Sequence, residues 1–349
     1  MIRAQTYPRL KQQYAYSIVE LMVSITLSLI LLLGLSSLLV GNIRTSAEME
    51  RGNQQMENGR YAMEVLAEDI SNAGYLAQFN PAFLATPVVK PDPCALDVDS
   101  LKAGLSIAIQ AYDNNVTTLD CLSDVKAGSD VLVIRRTSMC ALGEVDCDAY
   151  LAGAPYFQAS ACSGSTELGA TNSASYYALD TSLATLTKHK KDCLTLAPQY
   201  QLRTHIYFVA NNDKAGDGIV TLKRAELRAG AWVIVPIVNG IENLQLEYGI
   251  DNVSPSTGLA AFFTSDPDSY AACVAADCMK YWRNTVAVKV YVLAKNISPS
   301  NAYVDGKIYT MGKLFNNNPN EKGPFNDAYR RRLYSSEIRL NNVAGRNVP

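Results

Sequence analysis

From Leu21 to Val40 the chain reads LMVSITLSLILLLGLSSLLV, twenty residues without a charge. At about 1.5 Å per helical residue that run reaches across a hydrocarbon core of about 30 Å. A soluble helix of this length keeps a polar face, and this one has none, so a membrane-spanning helix is the reading preferred over a buried core helix. No small-x-small cleavage site follows the run, which argues that the span stays in the mature chain. Met1 to Ala15 carries Arg3, Arg9 and Lys11 and no acid, whereas Arg44, Glu48, Glu50 and Arg51 beyond the run nearly cancel. The positive-inside bias therefore predicts a cytoplasmic N-terminus, with the remaining ~300 residues on the other side of the membrane.

The rest of the 349 residues are ordinary globular material. A hydrophobic content of 48% against 18% charged is too apolar for a disordered chain. A formal charge of −2 offers no basic excess for a nucleic-acid backbone. Catalytic and nucleotide motifs (GxSxG, HExxH, a P-loop, GxGxxG) are absent from the sequence, and only two histidines are available. His189 sits in Lys188-His189-Lys190-Lys191, a run read as a solvated face. His205 opens an alternating strand and reads as an ordinary surface or partly buried residue. Asn211, Asp213 and Asp217 in NNDKAGDG lack the spacing and closing Glu of a calcium loop, so a polar hairpin turn is preferred. The expectation is a non-enzymatic protein without metal or cofactor.

Eight cysteines, Cys94, Cys121, Cys140, Cys147, Cys162, Cys193, Cys273 and Cys278, all follow the span. In an exported domain an even set reads as disulfides in an oxidising periplasm, and zinc is disfavoured because no C-x-x-C occurs. Eight cysteines allow on the order of a hundred pairings. Nearest neighbours (94 with 121, 140 with 147, 162 with 193, 273 with 278) are the pairs expected.

The helix continues past the membrane. No proline occurs between Tyr16 and Asn80, and Ala62, Met63, Leu66, Ile70 and Ala73 form an apolar stripe at helical spacing, with Gly74 as a C-cap. The stripe predicts packing on a sheet, and Gly34, Gly41, Gly52 and Gly59 are positions where the helix would loosen. Strands are predicted around Leu105–Ala111, Val131–Ile134, Thr204–Ala210, Ile219–Leu227, Leu244–Ile250, Val286–Val292 and Leu333–Leu340. Two stretches, 138–200 and 252–282, read as disulfide-stapled insertions with short irregular elements.

Glu20 is out of place, since an acid inside an apolar span costs roughly 2.5 to 3.5 kcal/mol on insertion scales. A Glu at the membrane boundary, reaching headgroup water, is one reading. The setting gives another. A short basic leader, then Ala15, Tyr16, Ser17, Ile18, Val19, Glu20 and the long span resembles the type III signal peptide of type IV pilins. That resemblance implies removal of residues 1–15 by prepilin peptidase after Ala15, N-methylation of Tyr16, and a role for Glu20 in meeting a neighbouring subunit's N-terminal amine. Ala15 and Tyr16 stand where glycine and phenylalanine are usual.

Five further phrases narrow the likeness: GRYAMEVLAEDISNAGY (59–75), GSDVLVIRR (128–136), IVNGIENLQLEYGID (237–251), TVAVKVYVLAK (285–295) and YRRRLYSSEIRLNN (329–342). They resemble the PilW family of type IV pilus minor pilins. The resemblance implies an α+β, type IV pilin-like fold, with a long N-terminal helix packed on an antiparallel β-sheet. It divides the chain into a leader (1–15), a transmembrane and assembly half-helix (16–44) and a periplasmic globular domain (45–349). It further implies an inner-membrane protein that moves to a tip-proximal minor-pilin complex and primes pilus assembly. Its partners would be other minor pilins, the major pilin, the inner-membrane assembly platform, prepilin peptidase and a tip adhesin. Two alternatives stay open: a type II secretion pseudopilin, and an adhesin acting through the insertions.

Overall fold

The computed structural model describes residues 17–113, 119–274 and 276–347. Helix α1 (Ile18–Ser71) runs without a break. The chain divides into two compact units, one up to Arg51 and one from Gly52 onward.

In the second unit, the stripe behaves as its spacing predicts. Ala62, Leu66, Ile70 and Ala73 are wholly buried, and Met63 packs at the edge of the same cluster. The helix ends at Ser71, and Gly74 lies in the turn that follows. Gly59 does not loosen α1. It lets the Tyr334 ring lie against the helix, where a Cβ would come within 2.2 Å of Cε2.

Two sheets and a hairpin follow, where the stripe alone implied one sheet. After the short helix α2 (Val98–Gly104), the first sheet is built from seven strands. These are β1 (Ile109–Tyr112), β2 (Val131–Thr137), β3 (Tyr156–Ala159), β4 (Tyr177–Asp180), β5 (Gln199–Ala210), β6 (Thr221–Arg228) and β7 (Ala231–Asn239). β8 (Ile241–Ile250), β9 (Phe262–Thr264), helix α3 (Ala276–Arg283) and β10 (Thr285–Lys295) come next. A hairpin of β11 (Tyr309–Lys313) and β12 (Pro319–Lys322) precedes β13 (Arg331–Arg339) and the final turn of helix, α4 (Asn341–Ala344). The second sheet has the order β13-β10-β8-β9, and every named pairing in the molecule is antiparallel.

The alternation in β8 and β10 explains the second sheet. Leu244, Leu246 and Tyr248 stand opposite Val292, Val290 and Val288, and all six enter the core with the helix stripe. The opposite face of β8 is also buried, yet polar. Gln245 accepts from Asn320 Nδ2 at 2.5 Å, and Glu247 accepts from Tyr291 Oη at 2.8 Å and from the Lys313 amide at 3.1 Å. The β11–β12 hairpin thus covers a face that would otherwise lie open. The sheets are stitched where Asp130, at the start of β2, donates its amide to the Leu244 carbonyl at 2.9 Å and accepts from the Leu246 amide at 2.8 Å. On the helix, Gln55 donates to the carbonyls of Ala294 and Arg330, and Asn58 to that of Asn239. These amides tie the helix to strand-end carbonyls of both sheets.

Three expectations change. Leu105 caps α2 instead of opening a strand, because Asp97 accepts from the Ser100 amide and starts a helix; β1 begins at Ile109. The 138–200 insertion is more than a surface loop, since β3 pairs with both β5 and β4 and brings Phe157 into a second core with Phe79, Leu179 and Leu202. The 252–282 insertion carries α3, whose Trp282 and Met279 close one end of the main core. The cysteines pair Cys94–Cys121, Cys140–Cys147, Cys162–Cys193 and Cys273–Cys278, which are the nearest-neighbour pairs.

Gly240 joins the last strand of the first sheet to the first strand of the second. Its φ is +77°, its amide donates to Val220, its carbonyl accepts from Lys295, and a Cβ would lie 2.6 Å from the Lys295 carbonyl oxygen. Gly240→Ala should therefore lower stability by about 2–4 kcal/mol in urea unfolding of the 45–349 fragment. Gly216→Ala, also at positive φ but with open space around it, should cost only about 1 kcal/mol. Equal losses at the two positions would show that the collision at Gly240 is relieved.

Candidate functional site

The first unit is chemically unusual because its apolar side chains are exposed. Every residue from Ser17 to Ser46 is exposed, including Ile18, Leu33 and Leu35. The polar side chains within it are turned back onto the helix. Ser24 Oγ donates to the Glu20 carbonyl at 2.7 Å, Thr26 Oγ1 to Met22 at 3.0 Å and Ser28 Oγ to Ser24 at 2.7 Å. Such back-bonding satisfies these three hydroxyls within the helix, so Leu21–Val40 offers a mainly hydrocarbon surface. One helix among the described residues is long and apolar enough to cross a membrane.

Glu20 interrupts that surface in the first turn. The Ser17 amide donates to Glu20 Oε2 and the Val19 amide to Ser17 Oγ, each at 3.4 Å. The pattern is a capping box, S-x-x-E, which the sequence carries openly at Ser17–Glu20. Bonds this long leave most of the carboxylate's hydrogen-bonding capacity for a stronger donor. Ala15 and Tyr16 lie outside the described residues.

The second unit holds a buried charge cluster that reading by motif does not find. Asp69 projects from α1 beside the apolar stripe and takes three donors: Arg136 Nε at 2.6 Å, His205 Nδ1 at 2.5 Å and Tyr207 Oη at 2.8 Å. Burial alone would raise the Asp69 carboxyl. The hydrogen bonds and charge of His205 and Arg136 outweigh it and hold the group well below the usual carboxylate range. For His205 burial wins, and the imidazole is pushed below its ordinary value despite Asp69. Asp69 and Arg136 thus form a buried ion pair, and His205 turns Nδ1 onto the same carboxylate. The only sequence signal was an acid next to Ile70 in an apolar stripe and an arginine pair closing the run Val131–Ile134.

A second hub lies at Arg331, whose side chain is 1% exposed. It pairs with Glu242, with Asp305 at 3.1 Å and with Asp327 at 2.6 Å, while Tyr309 donates to Asp305. This ties the segment before β13 to β8. Both hubs have their donors and acceptors matched, which is the arrangement of structural clamps.

The remaining candidates are spent on local structure. His189 turns away from its lysine neighbours and meets Glu167 Oε1 at 2.6 Å through Nδ1, with its amide on Oε2 at 3.1 Å. This differs from a solvated face because the bridge between His189 and Leu196 draws the run against the insertion. Asp217 accepts the amides of Asp213, Lys214 and Ile219, and Asn211 donates to Asp124. Glu144 lies near the sulfurs of Cys140 and Cys147, but those sulfurs are bonded to each other and are not thiolate ligands.

Residues 206–342 match the family model described as type IV pilus-assembly protein W, PilW. That stretch runs from β5 to α4 and contains three of the five quoted phrases, those at 237–251, 285–295 and 329–342. No curated protein matches the chain. Among solved structures, a type IV-like pilin from Thermus thermophilus matches with a TM-score of 0.34 and 11% identity, over 82% of this chain and 96% of that one.

The charge cluster fixes a pH dependence. Both His205 and Asp69 have folded values below their unfolded ones, so each contributes stability above its unfolded value, near 6.5 and 3.9 respectively, and that stability is lost as pH falls. Unfolding midpoints of the 45–349 fragment should begin to drop as pH falls below about 6.5 through His205, and again below about pH 4 through Asp69. His205→Asn keeps a donor near the Nδ1 position and should abolish the upper step while retaining the lower. An unchanged upper step in that variant would remove His205 as its cause.

Proposed function

We propose, taking as premise a type IV pilus-related, pilin-like chain with the PilW pattern over residues 206–342, that this protein is a non-enzymatic minor pilin. It primes assembly from a tip-proximal minor-pilin complex. The observation that carries this reading is the helix segment 18–46, exposed on every side, with one acid in its first turn. Such a surface is stable in only two surroundings, lipid or a bundle of similar helices. A subunit that moves from the first to the second needs both.

Residues 1–15 are the leader, cut after Ala15 by prepilin peptidase, and Tyr16 becomes the N-methylated first residue. Residues 16–44 span the inner membrane with the N-terminus cytoplasmic, and 45–349 form the periplasmic domain, where oxidising conditions maintain the four disulfides. Cleavage frees an amine next to the first turn. In a growing bundle the Glu20 carboxylate of an incoming subunit meets the amine of the subunit already in place. This exchanges a poorly partnered acid in lipid for an ion pair, and the gain drives transfer out of the bilayer. The subunit therefore has a neighbour on its tip side. Other minor pilins, the major pilin and the assembly platform are its partners.

Mass spectrometry of the mature protein should find N-methyl-Tyr16 as the first residue. Loss of the leader removes three basic side chains, taking the formal charge from −2 to −5. A mature chain that retains Met1–Ala15 refutes the assignment.

Glu20→Ala and Glu20→Gln should both insert in the membrane and be cleaved normally, because the span becomes less polar and the leader is untouched. Both should co-purify poorly with the other minor pilins and support few pili, since neither can form the ion pair. Normal piliation by both variants would reduce Glu20 to a boundary residue capping its own helix.

A further inference from the structure

Between β5, β6 and the segment after the Cys140–Cys147 disulfide lies a cavity of about 490 Å³. Strand alternation puts Arg203 of β5 and Arg224, Glu226 and Arg228 of β6 on one face, and all four line it. The facing wall is Asp148–Leu151. That wall is held in place. Arg203 pairs with Asp148, the Leu151 amide donates to Tyr156 Oη at 2.8 Å, and Tyr150 stacks on Tyr156 with 5.6 Å between ring centroids.

The charges do not balance. Glu226, nearly buried, accepts from Arg224 Nε at 2.7 Å and Arg228 Nε at 2.6 Å, so one carboxylate serves two guanidiniums. Arg203 has Asp148, and behind the floor Asp69 is matched by Arg136. Three arginines against two carboxylates in the lining leave one positive charge. The Arg228 side chain is 53% exposed, and its guanidinium, with five N–H donors, has more than Glu226 can use. At the rim Tyr150 is 49% exposed and offers an aromatic face already fixed from behind.

We propose that this cavity binds one carboxylate-bearing sugar residue, of the uronic acid class, within an acidic polysaccharide. The volume falls in the range of small-ligand sites. One unbalanced guanidinium suits a monoanion, and planar N–H pairs suit a carboxylate. The two lining carboxylates, Asp148 and Glu226, repel a dianion such as phosphate, yet they accept hydrogen bonds from sugar hydroxyls. Tyr150 supplies a surface for the apolar face of a pyranose ring. No lining residue belongs to the segment 18–46, so this reading stands or falls separately from the assembly role.

The test is calorimetry of the full chain in detergent with trigalacturonate, maltotriose, inorganic phosphate and the peptide Gly-Asp-Gly as probes. Trigalacturonate should bind saturably with Kd of about 1 mM or tighter, more weakly as salt rises, and the other three at least about tenfold more weakly. Arg228→Gln should weaken trigalacturonate about tenfold with unchanged thermal unfolding. Tyr150→Ala should weaken it severalfold, which keeps the test decisive if the arginine variant misfolds. Absence of saturable binding, equal binding of maltotriose, or indifference to both substitutions overturns the proposal. Tighter binding of phosphate or of Gly-Asp-Gly overturns it as well, the latter assigning the cavity to an acidic protein segment.

Discussion

Leu66 and Ile70 must leave water, and the organisation of the globular unit follows from how they do so. Two sheets converge on the helix stripe. Ile109, Leu132, Ile134, Tyr207 and Val209 come from the first, and Leu244, Leu246, Val288, Val290 and Val292 from the second. The convergence creates a seam, and the seam has to be closed by groups that are not ladder hydrogen bonds. Asp130 bridges the strands, Gly240 turns the chain from one sheet to the other, and Gln55 and Asn58 cap carbonyls from the helix side. Each of these residues is polar or achiral where an apolar one would be the default, because the seam exposes backbone that apolar side chains cannot satisfy.

The elements with clean periodicity were legible in the sequence. The stripe at 62–73, the β5–β6 hairpin, β8, β10 and β13 were read from helical spacing or alternation, and β2 from its short continuous apolar run Val131–Ile134. The elements that escaped have reasons of their own. β7 contains Pro236, which argues against a strand; it survives because β7 pairs only with β6 and the register shifts at that position. β11 and β12 have little alternation, since their task is to cover the polar face of β8. Leu105 matched the strand pattern by parity, but Asp97 supplied a helix start a few residues earlier. Single-sequence periodicity sees which face is apolar, and it does not see which cap or partner arrives first.

The candidate site divides the same way. Glu20 and the apolar helix were visible because their anomaly is local: an acid and a long uncharged run lie in consecutive residues. Asp69, Arg136 and His205 were not, because their meaning depends on contacts across 67 and 136 positions. The cavity was further out of reach. Arg203, Arg224 and Arg228 look like surface arginines in the sequence, and only the strand pairing shows that two of them share Glu226.

Disulfide placement separates what the fold requires from what it carries. The four bonds span 27, 7, 31 and 5 residues, and none reaches α1, which has no cysteine. Closing loops of these sizes stabilises by roughly 2–4 kcal/mol each in the chain-entropy model. That contribution falls on connections and insertions with small cores. The helix–sheet core is held by the buried stripe, two amides and the Asp69 cluster, and of the four disulfides Cys273–Cys278 packs against it. The insertion wall over the arginine cavity is different. Its Asp148–Leu151 segment has little buried apolar surface and leans on Tyr156, on Arg203 and on the adjacent Cys140–Cys147 bond. The insertion wall that would carry specificity is thus a part of the molecule that sulfur chemistry helps hold in shape.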